Sequence, residues 1–342
     1  MSKTYKVAIN GFGRIGRAFF KLSWDRPEIE VVAINDLGSI DSLTYLLKYD
    51  TVYRTWGHEV TNDGENIIVD GRKVKFISSK EPAGLPWGEM DVDIVIESTG
   101  LFTSYEKSKF HLDQGAKRVV ISAPSKDGEG EQKSETILLG VNEDRFGTCD
   151  ITSNASCTTN ASSPLIAILH ETVGIEKALL NTVHGYTASQ ALVDGPSKKD
   201  LREGRAAAQN IVPSSTGAAI AVTKAFTELT GKFDGISTRV PVPAGSIVDI
   251  TFLAKRDTSA EEINQILKDA AATDRWSRIF SVTEEPLVSS DILGRTHASI
   301  ADLAMTRVVD GNLVKVMGWY DNEMGYTATL VDHAIKTGET IN

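Results

Sequence analysis

Cysteine is scarce in this chain, with Cys149 and Cys157 the only two among 342 residues. A pair so closely spaced, in a chain without an export signal, reads as thiols rather than a disulfide framework and points to a reducing compartment. The N-terminus has no apolar leader and passes within a few residues into Val7-Ala8-Ile9-Asn10. No run reaches the roughly 18 consecutive apolar residues that a membrane span needs. A cytoplasmic protein with no membrane partner is the expectation. Histidine is also sparse: His58, His111, His170, His184, His297 and His333 are scattered, without the short paired spacings of metal ligands, so no metal is expected. Basic runs end at Lys198-Lys199, and a formal charge of −10 repels phosphate backbones, which argues against nucleic acid as the main partner. Repeats and low-complexity segments are absent.

What is present is a globular composition, 41% hydrophobic and 24% charged, long enough for one large or two ordinary domains. The first half alternates short apolar runs (6–10, 31–35, 92–98, 118–122) with amphipathic stretches (14–24, 39–49, 105–114). Apolar runs without polar alternation suit parallel strands buried on both faces, joined by crossover helices, so a doubly wound Rossmann-type sheet is predicted. Residues 60–79 carry Asn62-Asp63-Gly64 and Asp70-Gly71 between β-rich stretches and read as an antiparallel meander. Beyond about residue 150 the pattern becomes helices at 158–172, 217–229 and 260–272 with β-rich segments at 177–186, 235–242, 247–255 and 298–319. That grouping predicts an α+β second domain built on a large, mainly antiparallel sheet, with Asp310-Gly311 as a hairpin turn. The tail at 323–336 reads as a helix.

Gly11-Phe12-Gly13-Arg14-Ile15-Gly16 follows the first strand and opens the first helix. In that context one glycine allows the tight turn, one lets backbone approach a pyrophosphate, and one permits close helix packing, while the helix N-terminus offers N–H donors. Asp36 ends the second strand 20 residues after Gly16, where an acid accepts hydrogen bonds from the adenosine ribose and repels the extra phosphate of NADP. NAD is the predicted cofactor. Ser98-Thr99-Gly100 and Ser122-Ala123-Pro124 end two further strands at the same sheet edge and serve either as cofactor contacts or as ordinary turn residues.

Ser153-Asn154-Ala155-Ser156-Cys157-Thr158-Thr159-Asn160 lies at the join of the two halves, with cap-type residues leading into an apolar helical run. The helix dipole favours a thiolate at such a position and makes Cys157 a candidate nucleophile, although a lone cysteine is more often a small buried hydrophobe, as Cys149 is taken to be. This octapeptide, with His184-Gly185-Tyr186-Thr187 beginning 27 residues after the cysteine, resembles the signature of the glyceraldehyde-3-phosphate dehydrogenases. The resemblance continues through Ile9 to Arg17, Val193-Asp194-Gly195-Pro196, Pro213-Ser214-Ser215-Thr216-Gly217-Ala218-Ala219, Arg239-Val240-Pro241 and Trp319-Tyr320-Asp321-Asn322-Glu323.

The resemblance implies a phosphorylating, NAD-dependent enzyme in which Cys157 attacks the aldehyde of glyceraldehyde 3-phosphate and His184 assists proton removal. After hydride transfer, the resulting thioester is cleaved by inorganic phosphate. It implies that Thr187 and Arg239 hold the substrate phosphate, that Ser156, Thr158, Thr216 and Gly217 line the inorganic phosphate site, and that Asn322 holds the nicotinamide carboxamide. Asn10, Gly11 to Gly16, Asp36, Ser98, Thr99, Gly100 and Ser122 complete the expected cofactor contacts. It further implies a cofactor domain at 1–156 completed by the C-terminal helix 323–342, a catalytic domain at 157–322, and a homotetramer in which the 187–212 segment faces a neighbouring subunit. Ala161 stands where many relatives carry a second cysteine, and Ser189 where they carry Thr or Asp. Residues 125–135 are more acidic than the usual connection and read as a surface loop. The rivals are erythrose-4-phosphate dehydrogenase, a reductive relative such as aspartate-semialdehyde dehydrogenase, which Asp36 disfavours, and RNA binding through the Rossmann cleft as a secondary role.

Overall fold

The computed structural model describes residues 3–125, 127, 133–197 and 200–341. Residues 126 and 128–132 of the acidic loop, and Lys198-Lys199, lie outside the described residues. The chain divides into two compact units: Met1–Ile137, Asn142–Ala155 and Thr327–Asn342 make unit 1, and Leu138–Val141 with Ser156–Tyr326 make unit 2.

Unit 1 opens with β1 (Tyr5–Asn10), α1 (Arg14–Ser23), β2 (Ile29–Asn35) and α2 (Ile40–Lys48). A small hairpin, β3 (Tyr49–Asp50) and β4 (Arg54–Thr55), leads to the meander β5 (Val60–Asn62), β6 (Asn66–Val69) and β7 (Arg72–Ile77). There follow β8 (Ile94–Glu97), α3 (Tyr105–Ser108), α4 (Phe110–Asp113), β9 (Arg118–Ile121), β10 (Ser134–Thr136) and β11 (Ile151–Ser153). One sheet runs in the order β10-β11-β9-β8-β1-β2-β7-β6-β5. Val7, Ala8 and Ile9 of β1 are completely buried because the strand pairs in parallel with β2 on one side and β8 on the other. The winding reverses at β1, which is where ligand crevices form in such sheets.

Two expectations change here. The helix expected at 105–114 is broken: Lys109 N–H bonds three residues back to Glu106 O, and both sides of the break are anchored on Phe102, whose carbonyl accepts the Ser108 hydroxyl and whose ring meets Phe110 edge-on. The sheet also gains β10 and β11, too short to show a periodic signal, and β10 takes in Ser134 and Glu135 from the expected loop.

Unit 2 contains α5 (Cys157–Thr172), β12 (Ile175–Gly185), β13 (Val212–Ser215), α6 (Ala218–Ala225), β14 (Phe233–Val240), β15 (Ser246–Ala254) and α7 (Ala260–Ala271). It ends with β16 (Phe280–Thr283), β17 (Ser299–Asp302), β18 (Arg307–Val309) and β19 (Leu313–Tyr320), and the last helix, α8 (Met324–Glu339), belongs mostly to unit 1. The sheet order is β13-β14-β12-β15-β19-β17-β16, with β18 pairing β19. Antiparallel pairing dominates, but β12–β14 and β16–β17 are parallel. The expected single stretch at 298–319 divides into three strands around a one-turn helix at Leu303–Met305 and the Asp310-Gly311 turn, where both residues have positive φ. α5 is buried from Thr158 to Leu169 and packs on the sheet between α6 and α7, so its polar first turns are held inside the unit.

Candidate active site

In unit 1 the glycine turn closes over the end of β1. Gly11 has φ +96°, and a Cβ there would lie 2.6 Å from the backbone nitrogen of Thr99. A Cβ on Gly16 would collide with the Gly11 carbonyl, so Gly16 is required by packing, whereas Gly13 faces open space with nothing within 4 Å of such an atom. The Asp36 carboxylate accepts the Phe12 N–H at 2.7 Å on one oxygen and the Gly38 N–H at 2.8 Å on the other. It thus fastens the turn to β2 and keeps lone pairs for a ribose diol. Beside it lies a cleft of about 380 Å³ lined by Asn10, Gly11, Gly13, Asp36, Ser98 and Thr99 of the expected set. A backbone cradle without side chains, an acid at its rim and a partly apolar hollow fit a dinucleotide.

Asn35, Leu37, Ser79, Lys80 and Phe102 also line this cleft and escaped the sequence reading, because their turns reach it only through the folded sheet edge. Other expected contacts stand elsewhere. Phe12 is completely buried with its ring edge-on to Phe20, so only its backbone serves the site. Arg14 turns to Asp50 at 2.5 Å and lines a separate hollow. Ile15, Gly100 and Ser122 are not among the cleft residues; Ser122 N–H is used by the Glu97 carbonyl. Beneath the cleft, Glu97 accepts from Asn10 Nδ2 at 2.6 Å and from Thr99 N–H at 2.9 Å, and meets His111 Nε2 at 3.1 Å. Trp87 Nε1–H can only donate, to His111 Nδ1 at 2.9 Å, so the His111 proton sits on Nε2 facing Glu97.

In unit 2, Cys157 is the first residue of α5, and the preceding Ser156 caps the helix by accepting the Thr159 N–H at 3.0 Å. Cys157 Sγ lies 3.4 Å from His184 Nε2. His184 sits one residue from the end of β12 and is 3% exposed, while Cys157 keeps part of its surface open. Burial pushes the Cys157 thiol up, and the Arg239 charge, hydrogen bonds from Thr158 and the position at the start of α5 pull the other way. Burial and then the Arg239 charge push His184 down to about 3, so its ring is neutral at neutral pH. Tyr320 closes the floor, its hydroxyl 2.9 Å from Thr158 Oγ1 and 2.7 Å from Thr182 Oγ1. The sequence places Tyr320 in the Trp319–Glu323 motif without giving it a role, because its two threonine partners lie 162 and 138 residues away.

Arg239 on β14 places Nη1 2.5 Å from His184 Nδ1, and among the described residues no carboxylate lies within ion-pair distance of it. Its charge is therefore available to an anion. Thr187 pairs its hydroxyl with that of Ser189 at 3.0 Å. Thr216 Oγ1 accepts the Ala218 N–H at 3.2 Å at the start of α6, with Gly217 as the capping residue. Asn322 Oδ1 accepts the Gly245 N–H at 3.0 Å and lies 3.3 Å from the Ser246 hydroxyl, which itself accepts Gly185 N–H at 3.2 Å. Asn322 and the backbone next to His184 are thus held through one serine. Among the described residues no group of His, Cys, Asp and Glu could hold a metal ion, and no helix is long and apolar enough to cross a membrane.

Residues 5–105 match the family model for the glyceraldehyde 3-phosphate dehydrogenase NAD binding domain, and residues 156–322 match that for its C-terminal domain. The chain is 47% identical over 341 residues to glyceraldehyde-3-phosphate dehydrogenase 2 of Streptomyces avermitilis, covering 99% of this chain and 100% of that protein. Its identity to the Borreliella burgdorferi glyceraldehyde-3-phosphate dehydrogenase is 48% over 338 residues, 97% of this chain and 99% of the relative. The enzyme of the same description from Geobacillus stearothermophilus is 46% identical over 331 residues, 96% and 97% of the two chains. The cofactor is NAD and the chemistry that of an NAD-dependent dehydrogenase. With both of its units matched and the glycine turn and the Cys157–His184 pair in place, the chain belongs to the glyceraldehyde-3-phosphate dehydrogenase family.

Proposed function

We propose that this chain oxidises glyceraldehyde 3-phosphate to 1,3-bisphosphoglycerate with NAD and inorganic phosphate, through a thioester on Cys157. The observation that carries the reading is the 3.4 Å approach of Cys157 Sγ to His184 Nε2 at the first turn of α5. The sulfur adds to the aldehyde carbon to give a hemithioacetal; His184 takes the hydroxyl proton as hydride leaves that carbon. The Gly11–Gly16 turn, Asp36, Ser98 and Thr99 would hold NAD, which would supply the hydride acceptor. A phosphate oxygen then attacks the thioester carbonyl, forming the acyl phosphate and returning the thiolate.

Arg239, without a carboxylate partner among the described residues, and Thr187 suit the substrate's own phosphate. Ser156, Thr158, Thr216 and Gly217, at the starts of α5 and α6, suit the attacking phosphate. Asn322 holds the nicotinamide carboxamide in this reading. Residues 1–156 with 323–342 serve as the cofactor domain and 157–322 as the catalytic domain of a cytoplasmic homotetramer. The exposed Leu179, Ile236 and Val309 on the strands of unit 2 supply apolar surface for association. Purified protein should reduce NAD with glyceraldehyde 3-phosphate only when phosphate or arsenate is present. Equal rates without either anion, or a preference for erythrose 4-phosphate, would overturn the assignment; light scattering tests the tetramer.

A further inference from the structure

Asn35, Asn10 and Glu97 stand at one level of the adjacent parallel strands β2, β1 and β8, Asn10 being the register partner of both others. Their side chains share a face and form a hydrogen-bonded row: Asn35 Nδ2 lies 2.8 Å from Asn10 Oδ1, and Asn10 Nδ2 lies 2.6 Å from Glu97 Oε2. Groups that cannot reverse fix the direction of this row from both ends. At one end the Ser79 N–H can only donate, to Asn35 Oδ1 at 2.9 Å, and the Ser79 carbonyl can only accept, from Asn35 Nδ2 at 3.1 Å. Asn35 therefore turns an N–H toward Asn10, and Asn10 turns its own toward Glu97. At the other end Trp87 leaves the His111 proton on Nε2, also aimed at Glu97, and burial pushes His111 down so that the ring stays neutral.

Glu97 Oε1 accepts the Thr99 N–H at 2.9 Å and the Thr99 hydroxyl, whose oxygen takes the Leu101 N–H at 3.1 Å. Four donors thus converge on one side chain, two on each oxygen, and only a carboxylate accepts them all. This carboxylate is 1% exposed, and among the described residues no lysine or arginine lies within ion-pair distance of it. A buried charge held by neutral donors is costly compared with an apolar side chain of the same volume. Glu97 does not line the cleft, whereas Asn10, Asn35, Ser79, Thr99 and Leu101 all do.

We propose that Glu97 is a positioning residue for the cofactor, which it does not touch: its carboxylate gathers the four donors and holds Asn10, Asn35 and the 99–101 turn in their dinucleotide-binding arrangement before NAD enters. The inference rests on this cleft being the NAD site. An amide of the same shape at position 97 would set an N–H against the Thr99 N–H or, turned over, against the Asn10 and His111 donors. Neither end of the row can turn to relieve that clash.

The test is a calorimetric titration of the NAD-free protein with NAD. Glu97→Gln should raise Kd at least about 10-fold, the scale on which buried donors lose a charged acceptor. His111→Leu strikes the same network at a ring that does not line the cleft, so it should lower the urea midpoint and raise Kd by less. A Kd that rises in step with lost stability in both variants would reduce Glu97 to a structural role and overturn the proposal. Should Glu97→Gln misfold, nitrogen-15 spectra of asparagine-labelled wild type decide: the Asn10 side-chain amide should resist hydrogen exchange without NAD as well as with it. Protection that appears only with NAD overturns the preset arrangement. Asp36→Ala separates the two readings. Weakened binding there with wild-type affinity in Glu97→Gln overturns the role of Glu97 and leaves the cleft as the NAD site, whereas wild-type affinity in both overturns the cleft itself.

Discussion

The phenol of Tyr320 lies 2.9 Å from the hydroxyl of Thr158, tying the end of β19 to the first turn of the helix that carries Cys157. The same oxygen is 2.7 Å from Thr182 Oγ1 on β12, and all three side chains are buried. Burial also pushes the Tyr320 hydroxyl up, so it stays protonated as a bridge between two threonines. Tyr320→Phe removes the partner of the buried Thr158 hydroxyl, while Thr182 keeps the Ile247 carbonyl at 3.3 Å, and should cost about 1–3 kcal/mol of unfolding free energy. Urea titration of the NAD-loaded protein measures it, and an unchanged midpoint would mean that Thr158 finds another partner.

Replacing the reacting pair should separate two effects. Cys157→Ser should abolish the NADH burst, because an alkoxide is not available at neutral pH from an ordinary serine. His184→Asn keeps the nucleophile and should lower kcat by about 10²- to 10⁴-fold, the usual contribution of a positioned acid–base group. Stopped-flow absorbance at the NADH band reads both, and a His184→Asn enzyme with wild-type kcat would remove His184 from the chemistry.

Asp36 does two jobs with one carboxylate, holding Phe12 and Gly38 by their N–H groups and offering its remaining lone pairs at the cleft. Asp36→Ala should raise KM for NAD by roughly 10- to 100-fold, as expected from losing charge-assisted hydrogen bonds of about 1.5–3 kcal/mol, with a smaller effect on kcat. Removal of the negative charge should also increase the ratio of kcat/KM for NADP to that for NAD. Steady-state kinetics with both cofactors checks this, and a fall in that ratio would contradict the charge argument.

Acid should destabilise the fold through its buried histidines. His333 meets Thr152 Oγ1 at 2.7 Å and Asn154 Oδ1 at 3.2 Å, and burial pushes it down to about 3. Its ordinary value is about 6.5, so between these values the unfolded chain binds a proton that the folded chain does not. Unfolding free energy from this source is therefore full above about pH 6.5 and falls by about 1.4 kcal/mol per pH unit as the pH drops below it. His184, also pushed down to about 3, adds a second proton to the slope. In denaturant titrations between about pH 6.5 and 5, His333→Gln should flatten the slope by one proton; an unaltered slope would place the acid sensitivity elsewhere.

Much of unit 1 is legible because its signals are local. β1, the Gly11–Gly16 turn and α1 follow one another within a few residues, and each glycine answers a short-range demand: a positive φ at Gly11, a packing limit at Gly16. The break at Lys109 and the strands β10 and β11 are not legible. They depend on what Phe102 and the neighbouring strands offer, and segments of three or four residues carry no periodicity of their own.

The site divides in the same way. The primary sequence by itself placed Cys157 at a helix start, His184 27 residues on and Asp36 after the second strand, and the roles proposed for them come from the family resemblance that those motifs carry. Only the tertiary structure decided that Arg14 serves Asp50 rather than the cleft, that Glu97 holds Asn10, Thr99 and His111 beneath it, and that Cys157 sits where burial opposes the thiolate. It also decided that Arg239 reaches Nδ1 of His184 across 55 residues. That last contact follows from the register of β12 against β14, and strand register is a property of pairing between distant segments that no local pattern records.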